Sequence, residues 1–380
     1  MTTHNGISEP SLTESVDQKI EKIRTRSLDL SFNELLDMYK GEELKIDPEY
    51  QRLFRWSEGK QSRFIESLIL EMPIPPIFVI EEADGIYELI DGLQRISSYL
   101  HFVGQHPKYR DEDGGSQYLV LSECDIVEGL NGYTYPNLPK TLEIKLKRSF
   151  VRVEVLRKES DPRLRYYMFK RLNTGGELLS DQEIRNCTVR LLNNAFNTFI
   201  IELSRNEDFV ECIKTVSQER LDKKYDQELV LRFFAFKNAR DHYTHEVGDF
   251  MTEYMEAVSD PARDDIRFSY QMEKEIFCKT FKILRGTLGE NAFAGSNPQG
   301  IIVSRFLSYH YEAFTLGIQP YLDRIDIYDQ VFKDKFTETL LDIKRDTTFR
   351  NITTGGGKNY PNPLRERIDF VVNALRKLMP

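Results

Sequence analysis

Apolar positions recur along the chain with two different periods. As far as Arg157 they come in short runs that alternate with polar residues or fill four or five places, the pattern of strands mixed with short helices. Beyond Arg157 they return every three or four residues, as they do on the buried side of helices. Ser31-Phe32-Asn33-Glu34 has the form of a capping box, opening a helix that Gly41 can close. Leu44-Lys45-Ile46 predicts a short strand. Ser57 predicts a second cap, for a helix with Phe64, Ile65, Leu68 and Ile69 on one side and Pro73 at its end. Ile77-Phe78-Val79-Ile80 and Tyr87-Glu88-Leu89-Ile90 predict a hairpin turned by residues 81–85, and a helix follows from about Ile96.

In the second half, residues 162–172 start with a proline and read as helical. Ser180-Asp181-Gln182-Glu183 is another capping box, opening a long amphipathic stretch with Leu191, Leu192, Ala195, Phe196, Phe199 and Ile200. Helical spacing recurs over 226–239, 247–258, 268–285, 300–315, 328–343 and 362–378. The pattern predicts an α+β protein in three parts: a mobile tail over residues 1–27, a mixed domain over 28–175 and an all-helical domain over 176–380.

Composition narrows the class. With 380 residues, 40% hydrophobic and 30% charged, the chain reads as a soluble protein of more than one core. No apolar run approaches the length of a membrane span. The first residues, MTTHNGISEPSLTESVDQK, lack the basic start and apolar stretch of a secretory signal. Cys124, Cys187, Cys212 and Cys278 lie far apart, which predicts free thiols and a cytoplasmic protein. A net charge of −9 argues against coating nucleic acid by general attraction. One stretch runs against that balance: residues 140–158 carry seven basic and two acidic side chains. There Leu142, Ile144 and Leu146, then Val151, Val153 and Val155, alternate as in strands. This reads either as the solvated face of an edge strand or as a nucleic-acid contact through Lys145, Lys147 and Arg148.

Three clusters could carry chemistry. At Asp91-Gly92-Leu93-Gln94-Arg95 a strand ends and a helix begins. A glycine there lets a ligand approach the backbone, the helix start favours an anion, and Arg95 can grip phosphate in a fork. Asp91 could hold Mg²⁺ or orient a water. The plain alternative is a helix start with an incidental arginine. In the second cluster, Tyr50-Gln51-Arg52-Leu53-Phe54-Arg55-Trp56, aromatic residues can anchor the loop while arginines face a cleft. In the third, Asn173-Thr174-Gly175-Gly176 ends one helix before the capped helix at Ser180, and Arg185 follows.

The stretches "YQRLFRW", "ELIDGLQRISSYLHF" and "FKRLNTGGELLSDQEIRNC", in this order, resemble a large bacterial family with the signature Asp-Gly-Gln-Gln-Arg. It is the ParB/sulfiredoxin-like domain at the N-terminus of GmrSD-type modification-dependent restriction endonucleases, and the likeness spans roughly residues 28–190. Related proteins sense phosphorothioate-modified DNA. The resemblance implies a ParB-like fold that binds, and in some members hydrolyses, nucleoside triphosphates in defence against phage. The signature falls on Asp91, Gly92, Gln94 and Arg95, with Leu93 as a packing residue in place of the first glutamine; Gln51 and Arg52 match the upstream element.

A nucleoside triphosphatase site of Asp91, Gln94 and Arg95 is therefore expected, with Gln51, Arg52, Arg55, Gly92 and Asn173 binding nucleotide in a cleft between the domains, and Mg²⁺ entering with the nucleotide. The expected partners are a nucleoside triphosphate, DNA, and a separate nuclease or other defence protein. No His-Asn-His nuclease pattern stands out: His242-Tyr243-Thr244-His245-Glu246 is the best histidine cluster, and it reads as a chance pair. Residues 353–359 (TTGGGKN) are not a phosphate-binding Walker loop. They read as a mobile glycine loop, or as one closing over nucleotide or DNA with Lys358 and Arg350. The competing functions are a non-enzymatic sensor of DNA or a partner, and a nuclease acting through the ParB-like site.

Overall fold

The computed structural model describes residues 24–46, 54–82, 85–110, 114–160, 168, 180–244, 246–263 and 267–379. The chain divides into two compact units, Met1–Glu177 and Leu178–Pro380. The class is α+β, as the pattern predicts.

The first unit is a five-stranded mixed sheet with helices. Its strands are β1 (Thr25–Ser31), β2 (Leu44–Lys45), β3 (Ile77–Glu81), β4 (Tyr87–Asp91) and β5 (Phe150–Leu156), in the order β1-β5-β3-β4-β2. β3 lies antiparallel to β4 and parallel to β5, so the predicted hairpin forms beside a strand from far along the chain. β1 begins at Thr25, inside the stretch that the sequence assigns to the tail. Helix α1 (Phe32–Lys40) is capped by Ser31, whose hydroxyl accepts from the Glu34 amide. Helix α2 (Glu58–Ile69) is capped in the same way by Ser57. It packs against α3 (Leu93–Phe102) and α4 (Lys140–Arg148). Phe32, Ile65, Ile77, Ile80, Leu89, Phe102, Leu146 and Val155 are buried in the core of this unit.

Two expectations fail here. Residues 140–148 form a helix rather than a strand. Its charges pair at helical spacing: Lys140 and Lys147 both reach Glu143, three and four residues away. Leu146 is buried while Ile144 is exposed, so the apparent alternation is accidental. β5 is also no edge strand, because β1 and β3 flank it.

The second unit is chiefly helical around an aromatic core that includes Phe196, Phe209, Phe233, Phe277, Phe281 and Tyr311. Its first helix, α5 (Asp181–Val189), carries the full capping box predicted at Ser180 and Glu183. The amphipathic stretch does not continue unbroken, since a turn separates α5 from α6 (Ala195–Leu203). The stretch 300–315 also departs from its helical reading: Ile302–Phe306 is a strand paired with Ala294–Ser296, and a helix starts only at Ser308. Ile302 and Phe306 sit four apart, a spacing common to helices and to one face of a strand. Among the described residues no helix is long and apolar enough to cross a membrane.

Candidate functional site

Asp91 closes β4 at a β-bulge: Asp91 lies opposite Phe78 and Leu89 opposite Val79, so Ile90 is the extra residue. Bulges re-aim the side chain at a strand end. Gly92 then turns the chain with φ 106°, and a Cβ there would lie 2.8 Å from Cγ1 of Ile77. Only glycine meets both constraints without strain. Helix α3 begins at Leu93 with no side-chain cap, and Leu93 is buried as a packing residue. The Arg95 Nη2 donates to Asp91 Oδ2 at 2.8 Å and to the Pro76 carbonyl at 3.1 Å. Its Nε is buried without an acceptor among the described residues. A guanidinium and an uncapped helix start, which favour an anion, thus share one corner with a carboxylate that opposes one unless a cation comes with it.

Gln94 joins this corner to the aromatic segment. Its Oε1 accepts from the backbone amides of Arg55, at 3.0 Å, and Trp56, at 3.1 Å. Gln61 holds the same segment from α2, donating from Nε2 to the Trp56 carbonyl at 2.8 Å. The Gln61 Oε1 pairs in turn with His101 Nδ1 at 2.8 Å, and the His101 ring stacks on Tyr109 at 3.6 Å. Phe54 is buried against His106 and Tyr109, and Trp56 meets Phe64 edge-on. Burial, with Lys108 nearby, pulls both His101 and His106 down to about 4, so both rings are neutral at pH 7. Aromatic anchoring of the segment is therefore real, and the exposed Arg55 rides on it.

Asp91, Gly92, Gln94, Arg95 and the Arg55 segment come together. Gln51, Arg52 and Asn173 lie outside the described residues, as do the predicted helix over 162–172 (apart from residue 168) and His245. The basic stretch offers less than its count promises. Lys145 pairs with Glu71, Lys147 with Glu143, and Arg152 with Asp29, while Arg148 is exposed. The glycine loop follows the helix Thr347–Thr353. Lys358 donates to the carbonyls of Asn351 and Thr354, capping the helix Thr347–Thr353, and Arg350 donates to the Asn297 carbonyl. Both cations donate to carbonyls of their own unit.

Sequence reading passed over Gln61, which shares the helix face of Phe64, Ile65 and Leu68; a polar residue at a core position was the available signal. Arg185 is likewise 3% exposed, donating to Gln182, Thr252 and Gly248. Asn186 accepts from Gln182 and donates to Gln227. These residues build the second unit's interior. An open groove of about 800 Å³ in the first unit, lined by Lys40, Lys45, Glu88 and Arg110 among others, includes neither Asp91 nor Arg95. We place the site at the corner, because the groove mixes both charge signs and holds no signature residue.

Among the described residues no group of three or more His, Cys, Asp or Glu side chains could hold a metal ion. Asp91 keeps Oδ2 on Arg95.

Residues 32–190 match the family model described as GmrSD restriction endonuclease, N-terminal domain. No curated protein and no solved structure matches the chain.

Proposed function

Because residues 32–190 make up a domain of the GmrSD restriction endonuclease N-terminal family, a restriction or defence-system protein, we propose that the first unit binds a nucleoside triphosphate at the corner of Asp91, Gly92 and Arg95. The observation that carries this reading is the meeting of Arg95 with Asp91 at a helix start that no side chain caps. The α3 amides and dipole would hold one phosphate group, with the Arg95 guanidinium beside it. Arg55, on the segment latched by Gln94, would supply a second cation. Mg²⁺ bound with the nucleotide would neutralise phosphate charge, and Asp91 would hold it or a water through Oδ1, since Oδ2 is on Arg95. DNA cutting would belong to a partner nuclease, with this chain supplying the nucleotide-dependent step.

A second reading is a sensor that binds nucleotide or DNA without turnover. The Asp91–Arg95 ion pair favours it, because the guanidinium occupies Oδ2 and leaves only Oδ1 to orient a water. Calorimetric titration with nucleoside triphosphates, beside phosphate-release and nuclease assays with and without DNA, separates these cases. Binding with phosphate release that disappears in Asp91→Ala supports the enzyme. Binding without release supports the sensor. Cutting of unmodified DNA that persists in Asp91→Ala would place a nuclease elsewhere in the chain, and no binding of any nucleotide would overturn the proposal.

A further inference from the structure

Gln94 belongs to the family-like signature, and the sequence alone gives it a catalytic place. Its hydrogen bonds give it another. An amide oxygen has two lone pairs, and both are spent on the successive main-chain amides of Arg55 and Trp56. That leaves this oxygen unable to accept from a water or to bind a metal ion. From the other side, the Trp56 carbonyl is taken by Gln61, whose own oxygen is taken by His101. Two glutamines from two helices therefore grip the extended stretch Phe54–Ser57 by its backbone, at both amide and carbonyl. A grip on the backbone is indifferent to side-chain identity, so it fixes where Arg55 starts from without using its guanidinium.

We infer that Gln94 is a positioning residue: its amide oxygen ties the loop carrying Arg55 to the helix start carrying Arg95, and acts on a bound nucleotide through that loop. This deepens the proposed function and rests on it for the nucleotide measurement alone. It also gives a physical reason for the two motifs to occur together 39 residues apart, since one supplies the acceptor that the other's backbone needs.

The chain's only tryptophan, Trp56, reports the loop directly. Gln94→Glu keeps an oxygen for both amides, and its Trp56 emission and acrylamide quenching should match the wild type. Gln94→Leu keeps the size and loses the acceptor, and quenching should rise about twofold or more as the loop opens locally. In the unmutated protein, hydrogen exchange should find the Arg55 and Trp56 amides protected, a measurement that does not depend on any variant folding. For the nucleotide, Gln94→Leu and Arg55→Ala should weaken affinity by less together than the sum of their separate effects. Wild-type quenching in Gln94→Leu, a Gln94→Glu loop as open as that of Gln94→Leu, rapid exchange of the two amides, or strictly additive affinity losses would each overturn the inference. Should the wild type bind no nucleotide while the fluorescence and exchange results hold, the clamp stands and the proposed function falls.

Discussion

Replacing Arg95 by alanine tests two roles of one side chain, and the structure gives a size to each. The side chain is 13% exposed and its Nη2 makes two bonds, to the Pro76 carbonyl and to Asp91. The bond from a charged group to this part-buried carbonyl is worth about 1.5–3 kcal/mol. The Asp91 carboxylate is 32% exposed, so water takes over much of its solvation, and the ion pair adds about 1 kcal/mol or less. The expected loss is therefore about 2–3 kcal/mol of stability in the first unit, a fall of about 5–10 °C in its melting temperature. Loss of a charged phosphate contact of about 2–3 kcal/mol weakens nucleotide affinity by roughly 30- to 150-fold. Asp91→Asn separates the roles: it leaves Arg95 on Pro76, removes a negative charge from the corner, and should keep or tighten binding of magnesium-free triphosphate. Differential scanning calorimetry reads the stability and titration calorimetry the affinity. A melting temperature that falls while affinity stays at the wild-type value would make the corner purely structural and refute the placement of the site. Affinity lost with no change in melting temperature would instead refute the Pro76 and Asp91 contacts.

Two further outcomes follow from the geometry. Gly92→Ala meets a left-handed backbone and a Cβ placed 2.8 Å from Ile77; it should lose about 2–4 kcal/mol in urea unfolding, and a loss below about 1 kcal/mol would refute the tight turn. Lys344 is fully buried, donates to the carbonyls of Asn291, Ala292 and Ala294, and is pulled by burial from 10.5 down to about 7. The unfolded chain then binds more protons between those values, so wild-type stability relative to Lys344→Met should rise with pH from about 7 to 10.5, by up to ~1.4 kcal/mol per unit. A gap that stays constant across that window would contradict the lowered value.

Local signals were the legible ones. The caps at Ser31, Ser57 and Ser180 and the hairpin of β3 and β4 each depend on residues within a few places of one another, and each stands where the sequence puts it. The corner of Asp91, Gly92 and Arg95 was legible for the same reason. Apolar spacing misled where one or two residues decide the period, as at Leu142, Ile144 and Leu146 or across 300–315. The role of Gln94 was beyond reach, because its partners are main-chain amides that exist at every position and carry no sequence mark.

The boundary between the two compact units has a consequence for where the chain can be divided. The family match runs to residue 190, yet α5 is built into the second unit through Gln182, Arg185 and Asn186, with Thr252, Gly248 and Gln227 as its counterparts. The inherited module and the folded body therefore do not end at the same place: the module exports one helix as an adaptor. Any other second unit joined behind residue 190 receives that helix, and must offer equivalents of Thr252 and Gln227 to hold it. A chimera cut at Glu177 and one cut after Val189 are thus different molecular designs, the first exchanging a whole body and the second asking a foreign body to accept a borrowed helix.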